Sequence, residues 1–406
     1  MKRDRVLIIC SRDICYSSGN FFASRLAAAY EELGYEARLC EFSKDRDIDA
    51  QLEPLLAQRY RVIVDFNSML PRMVMEDGSY YLDHLQGPFF DYILDHPLFH
   101  YTGLTCRAGN LHVLVVDESH RRYVASYYPT VQSVHTLPLG ACEAFVPAQK
   151  EGRYVLFMGT YEEPDNIMDI VDRSPADAAG VMRELIECRI AEPKLPMEEA
   201  YRKILERRGE QVPPEQFALQ MNGMYAVDAY VRDYFRKKVV DALLARQIPV
   251  KAVGEGWYKY HAKEERFFTS EKAVTFALSF QRIARAPLLL NVTPFFPQGM
   301  HDRVVAGMAN RTVVMTEEND YLRGAFGDQR ELCFYDLTDM TSMCERAEAL
   351  LGDTLMRREI EERAYRIFLQ GHTWRHRALT ILSLAEMAER ERESMANRSR
   401  DVCMRK

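Results

Sequence analysis

The chain has no C-x-x-C pair, although it carries nine cysteines, an odd number at scattered positions. That spacing excludes a zinc ribbon or a disulfide frame and reads as the reduced, mostly buried thiols of a cytoplasmic protein. No stretch approaches the ~18 consecutive apolar residues of a membrane-spanning helix, so no integral membrane segment is expected. The opening MKRDRVLIIC turns polar again at Ser11, which makes it a first β-strand and not a signal peptide. Basic excess is also missing. A formal net charge of −7 argues against a general nucleic-acid binder, because neutralising phosphates needs a basic surface. No G-x-G-x-x-G follows the first strand, which disfavours an NAD enzyme. There is no internal repeat and no low-complexity segment, and the arginine-bearing tail from Arg390 reads as a solvated helix end.

What is present points to an α/β protein. At 406 residues the chain exceeds one typical core, so two domains are expected, and 47% hydrophobic with 28% charged residues is ordinary for a globular protein. Apolar runs at Val6–Cys10, Glu36–Glu41, Tyr60–Asp65, Leu111–Val116 and Ser133–Leu137 predict strands. Between them, Phe21–Leu33 (closed by Gly34), Phe89–Leu94 and Ser119–Tyr127 read as helices. Pro138, Gly140 and Pro147 mark a linker. A second series opens at Tyr154–Met158 and is interrupted by a charged helical stretch from about 165 to 246. It resumes with strands at Pro249–Val253, Ala273–Phe276, Leu288–Val292, Thr312–Thr316 and Leu332–Tyr335. Helices at Met340–Leu351, Asp353–Phe368 and Trp374–Arg392 close the chain. Strands alternating with helices imply parallel sheets covered on both faces, whose ligands bind beyond the carboxyl ends of the strands.

The segment PLLLNVTPFFPQGMHDRVVAGMANRTVVMTE (287–317) is the most informative part. A buried strand feeds a Pro/Gly loop, a helix opens near His301, and a second buried strand follows. Unpaired N–H groups of a first helical turn and the helix dipole favour an anion there, so a phosphorylated ligand is expected.

Extended to NVTPFFPQGMHDRVVAGMANRTVVMTEENDYL, with RYVLFMGTY upstream, GHTWRHRA downstream and PFFDYILDHPLFH, VVDESHRRYV and TLPLG in the first half, this pattern resembles the CgeB-like, spore-maturation-type glycosyltransferases. The resemblance implies the GT-B fold, in which two Rossmann-like doubly wound domains face a cleft. Applied here it gives an acceptor-side domain at 1–147, a donor domain at 148–372 with the helical insertion, and a C-terminal return helix with a basic tail at 373–406. It implies transfer of a sugar from a nucleoside-diphosphate donor to a hydroxyl on a glycan, protein or small molecule, without a metal or other cofactor. A non-catalytic nucleotide- or glycan-binding protein and a nucleotide-sugar epimerase are the alternatives. The insertion would shape an acceptor groove or a homodimer contact.

Within that reading, Arg303 would clamp a diphosphate with His301 and Asp302 as hydrogen-bond partners, and Gln298 and Gly299 belong to the same loop. Plain helix capping is the ordinary alternative. Gly159 and Thr160 form the first strand-to-helix turn of the second domain and would approach the phosphates. Gly254 would let the backbone approach a ligand while Trp257 walls the base pocket. Asp95 and His96 are the candidate catalytic groups of the first domain. Ser17 and Asn20 in SSGN would meet the acceptor, or would simply cap a helix. His96 and His100 are four apart but have no third ligand at matching spacing, so no metal is expected. His372 and His376 read as structural. The chain departs from the resembled phrase E-A-M-A-x-G: Ala306 stands where a ribose-holding Glu is implied, and Arg311 where a glycine is.

Overall fold

Two six-stranded sheets organise the chain, in a computed structural model that describes residues 4–11, 18–42 and 47–404, the last stretch 395–404 as backbone alone. The first sheet holds β1 (Arg5–Ser11), β2 (Glu36–Phe42), β3 (Val62–Phe66), β4 (Phe89–Ile93), β5 (Leu111–Val115) and β6 (Ser133–Thr136) in the order β2-β1-β3-β4-β5-β6. The second holds β7 (Val155–Met158), β8 (Val250–Val253), β9 (Phe268–Glu271), β10 (Leu288–Leu290), β11 (Val313–Glu317) and β12 (Cys333–Tyr335) in the order β12-β11-β10-β7-β8-β9. Every pairing is parallel. The strands are near-continuous apolar runs because both faces are covered: Leu7 and Ile9 enter one core cluster, and Val6, Ile8 and Cys10 the other.

Two expectations change. Phe89–Leu94 is not helical but contains β4, whose Phe89 and Ile93 point to one face and Phe90 and Tyr92 to the other, a period of two. The strand expected at Ala273–Phe276 lies earlier, at β9, where exposed Thr269 and Ser270 on the sheet edge hid the apolar signal. Phe276 instead opens the helix Phe276–Arg285.

Five helices fill the interruption between β7 and β8, ending in the long helix Tyr225–Ala245. The last helix, Trp374–Met404, returns to the first sheet, where Trp374, Ala378, Ile381 and Ala385 join the cluster of Val6, Phe22 and Phe66. Arg61 fixes that return by pairing with Glu386 and Glu389 at 2.7 and 2.6 Å. In each sheet the chain reverses direction of growth beside its first strand, at β1/β3 and at β7/β10. Crevices open beyond the carboxyl ends at such points. Both open onto one cleft.

Candidate functional site

The cleft has a volume of about 550 Å³ and draws its walls from both sheets and from the inserted helices. Its floor on the second-domain side is the loop after β10 and the helix Asp302–Ala309. Arg303 is buried there with no carboxylate paired to it among the described residues. Its Nη1 donates to Asn291 Oδ1 at 3.0 Å, and its Nη2 lies 3.2 Å from His301 Nε2. His301 Nδ1 lies 2.5 Å from Asp302 Oδ1. One neutral tautomer serves both contacts, with Nε2 accepting from the guanidinium and Nδ1–H donating to the carboxylate. Burial first and Arg303 second lower the imidazole's pKa, consistent with a neutral ring. The capping contact from the Arg303 N–H to Nδ1, at 3.2 Å, requires the other tautomer.

Gly159 and Gly254 line the same cleft after β7 and β8. Their backbones press together so closely that a Cβ on Gly254 would fall 2.0 Å from the Gly159 carbonyl oxygen, and φ is +156° at Gly254. Only glycine fits such a turn, and without a side chain it lets the backbone itself line the cleft. Thr160 follows, held by Arg236, whose Nη1 donates to the Thr160 carbonyl at 2.7 Å.

Sequence reasoning missed the third wall. The helix Tyr225–Ala245 brings Asp228, Arg232 and Arg236 to the cleft, spaced four residues apart on one helical face. Asp233 bridges the two guanidinia, at 3.0 Å from Arg232 Nη2 and 3.5 Å from Arg236 Nη1. Burial pushes the Arg236 pKa down to about 9; Asp233 opposes this, and the like charges of Arg232 and Arg303 add to it. The i, i+4 charge stripe was visible in the sequence, but a solvated helix face reads the same way.

On the first-domain side, Asn67 sits beyond β3 with φ +58° and orients Asp95, donating from Nδ2 to Asp95 Oδ2 at 3.2 Å. Its Oδ1 accepts from the Leu94 N–H at 2.8 Å. Asp95 is open to the cleft yet flanked by protein on all other sides. That surrounding desolvation raises its pKa, and the hydrogen bond from Asn67 and the charge of Arg232 oppose the rise.

His96 borders the cleft, but its ring is buried and engaged elsewhere. Nδ1 accepts from the Leu98 N–H at 3.1 Å, and Nε2 faces Glu198 Oε2 at 3.5 Å. Burial pushes His96 down to about 3, the adjoining His120 down to about 4 and Glu198 up to about 7. At neutral pH the His96–Glu198 contact is therefore not an ion pair between full charges, and neither facing atom makes a hydrogen bond of good geometry. The Glu198 carboxyl contributes stability that is fully present below its ordinary value of 4.5 and lost as pH rises through about 7. Glu198→Gln should therefore gain on the wild type by on the order of 3 kcal/mol between pH 5 and pH 8. Urea unfolding at the two pH values checks this; an equal difference at both would mean that Glu198 ionises normally.

Other expected site residues fall elsewhere. Trp257 does not wall the cleft. Its ring is buried against Tyr161 and Phe157, and its Nε1 donates to the Gly159 carbonyl at 2.8 Å, so it supports the glycine turn from beneath. Gln298 and Gly299 cross to the first domain: the Gln298 N–H donates to Asp117 Oδ2 at 2.8 Å, its Oε1 accepts from Arg122, and Gly299 pairs with Asp117. Asn20 lies within the helix Ser18–Glu32 and off the cleft, whereas Ser18 reaches it; Ser17 lies outside the described residues. His100, like His96, is buried, and no metal-holding group of three ligating residues exists among the described residues. Ala306 lines the cleft, and Arg311 adopts the left-handed φ of +47° that a glycine takes at no cost, with its guanidinium 3.6 Å over the Tyr365 ring.

Comparison with known proteins follows the same lines. Residues 233–383 match a family model described as "Glycosyl transferase-like". No curated protein matches the chain. Sucrose-phosphate synthase from Thermosynechococcus elongatus superposes with a TM-score of 0.53 at 10% identity, over 97% of this chain and 100% of that one. HepE from Anabaena, solved with UDP and glucose, gives 0.51 at 9% identity, over 96% and 100%. TarM from S. aureus gives 0.49 at 9% identity over 80% of this chain, which spans only 55% of TarM's length. At such identities the likeness is one of fold. The chain has the two-domain fold of the GT-B glycosyltransferases, and its residues 233–383 form a glycosyl transferase-like segment.

Proposed function

We propose that the protein is a cytoplasmic, metal-independent glycosyltransferase of the CgeB-like kind, moving a hexosyl unit from a nucleoside-diphosphate sugar to an acceptor hydroxyl. One observation carries the reading. Arg232, Arg236 and Arg303 meet in one cleft beside the start of the Asp302–Ala309 helix, with Asp302 at that helix start and Asp95 on the first-domain wall. Guanidinia and a helix N-terminus suit a diphosphate; carboxylates suit sugar hydroxyls. HepE was solved with UDP-glucose, a donor of this class.

In the reaction, the bond between the sugar's anomeric carbon and the diphosphate oxygen breaks, and a bond to the acceptor oxygen forms. Negative charge grows on the departing diphosphate, where the Arg236 and Arg303 guanidinia and the positive end of the helix dipole would offset it. The acceptor proton passes to the Asp95 carboxylate, or to the departing diphosphate itself. His96, buried and held at Nδ1, acts by shaping the wall behind Asp95 rather than as the base.

The reading is tested by incubating the protein with UDP-, GDP-, ADP- and dTDP-sugars and measuring released nucleoside diphosphate. Release from at least one donor is expected. No release from any, with no thermal shift by any nucleoside diphosphate, sinks the proposal; binding without release makes the protein a non-catalytic binder.

A further inference from the structure

Beside the main cleft, a second and much smaller cavity of about 10 Å³ lies where three parts of the chain meet. The first domain contributes His96 and His120, the inserted helices contribute Glu198 and Asp228, and Phe295 of the loop after β10 closes it. All four polar side chains are buried. One atom of each lacks a hydrogen-bond partner in the protein: His96 Nε2, His120 Nδ1, Glu198 Oε2 and Asp228 Oδ1. The direct contact between His96 Nε2 and Glu198 Oε2, at 3.5 Å, is too long for a good hydrogen bond. Buried polar groups are nearly always satisfied, and four unsatisfied ones around a single cavity mark a place where a ligand belongs.

We propose that this cavity is a binding site for one water molecule, held by His96, His120, Glu198 and Asp228, which joins the first domain to the inserted helices. The volume admits one water, and the site offers it the four polar partners that such a water can use. Donors and acceptors also balance. His96 Nδ1 accepts from the Leu98 N–H at 3.1 Å, so the neutral ring carries its proton on Nε2 and donates it to the water. His120 Nε2 lies 3.1 Å from the Phe295 carbonyl oxygen, which can only accept, so His120 Nδ1 is an acceptor. Burial keeps both rings neutral. Burial also favours the protonated Glu198 carboxyl, which then donates as His96 does. Asp228, pushed up only to about 6, accepts. A water accepts two hydrogen bonds and donates two, so it satisfies all four atoms together. The charged neighbours are engaged elsewhere. Arg189 donates from Nη1 to the Pro193 carbonyl at 2.9 Å and from Nη2 to the Pro294 carbonyl at 2.5 Å, while Asp117 accepts from the Ser119 hydroxyl and the Gln298 N–H. The bridge ties the helix that carries Arg232 and Arg236 to the residue after Asp95, and so holds two walls of the main cleft together whatever that cleft transfers.

The test is a high-resolution crystal structure of the whole chain, grown at a pH below about 7. One water peak at about 2.5–3.2 Å from at least three of the four atoms is expected. A cavity without a peak, or one closed by a direct hydrogen bond between any two of the four atoms, overturns the proposal. Val227→Ile adds a methyl group to the cavity lining without touching a polar partner. It should remove the peak and lower the urea midpoint, because the four polar atoms lose their shared partner. A raised midpoint would mark the cavity as dry space that a methyl fills, and would also overturn the proposal. If the variant does not fold, the wild-type electron density alone decides.

Discussion

Arg303→Ala should weaken nucleoside-diphosphate binding by roughly a hundredfold and lower stability by about 1–3 kcal/mol. The expectation follows from how the side chain is held. Arg303 is buried, and it is locked by Asn291 on one nitrogen and by neutral His301 on the other. Its positive charge is not spent on a paired carboxylate. Two charge-assisted hydrogen bonds to a phosphate, each worth about 1.5–3 kcal/mol, account for a loss of that size. Stability falls as well, because buried Asn291 Oδ1 and His301 Nε2 lose the guanidinium that donated to them, although Asn291 Nδ2 keeps Thr293 Oγ1 at 3.0 Å and Thr316 Oγ1 at 2.9 Å. Arg303→Lys restores the charge without the planar fork and should recover only part of the affinity. Titration calorimetry with the best-binding diphosphate reads both variants. Affinity within about threefold of the wild type for Arg303→Ala, far short of one charge-assisted bond, would mean that this helix end is not where the diphosphate lies.

Strands buried on both faces were legible because two-sided burial writes a continuous apolar run, whereas half-exposed β2 was legible from its alternation. β1, β5 and β11 are of the first kind. β4 is as well, but five residues of FFDYI fit a buried helix turn as easily as a strand, and only the packing on both sides separates the two. β9 escaped notice because an edge strand carries polar residues. Residues placed after strands fell on the cleft where the sheet alone sets their position, as with Gly159, Gly254 and Asp95. Legibility ended where position depends on how remote segments pack. Trp257 follows its glycine turn in sequence, yet lies beneath it. Arg232 and Arg236 are far from every strand end, and become site residues only because the insertion folds its last helix against the cleft. Glu198 meets His96 through the same insertion, while His120 reaches it from the first-domain helix Glu118–Tyr127.

Gly299→Ala should cut turnover by more than tenfold while leaving diphosphate binding within about threefold of the wild type, a split that follows from where its methyl would go. A Cβ there would lie 2.4 Å from the Val116 carbonyl oxygen and 2.6 Å from Asp117 Cα, both backbone atoms of the first domain that cannot swing aside. The Gly299 backbone pairs with Asp117, the Gln298 N–H bonds the Asp117 carboxylate, and Asn319 Nδ2 donates to the Gly299 carbonyl at 3.0 Å. Relief therefore comes from moving the loop and the first domain apart, at about 1–3 kcal/mol of stability. The residues proposed to hold the diphosphate, Arg303, Arg236 and Thr160, all belong to the second half and move together. Asp95 belongs to the first half and would be carried away from the sugar. A displacement near 1 Å between a reacting group and its substrate is enough to cost about a hundredfold in rate. Calorimetry and a donor-hydrolysis assay on the same preparation separate the two effects. Equal losses in binding and turnover would show that the contact at Asp117 supports the donor site itself, and unchanged turnover would show that the first domain does not need this register to act.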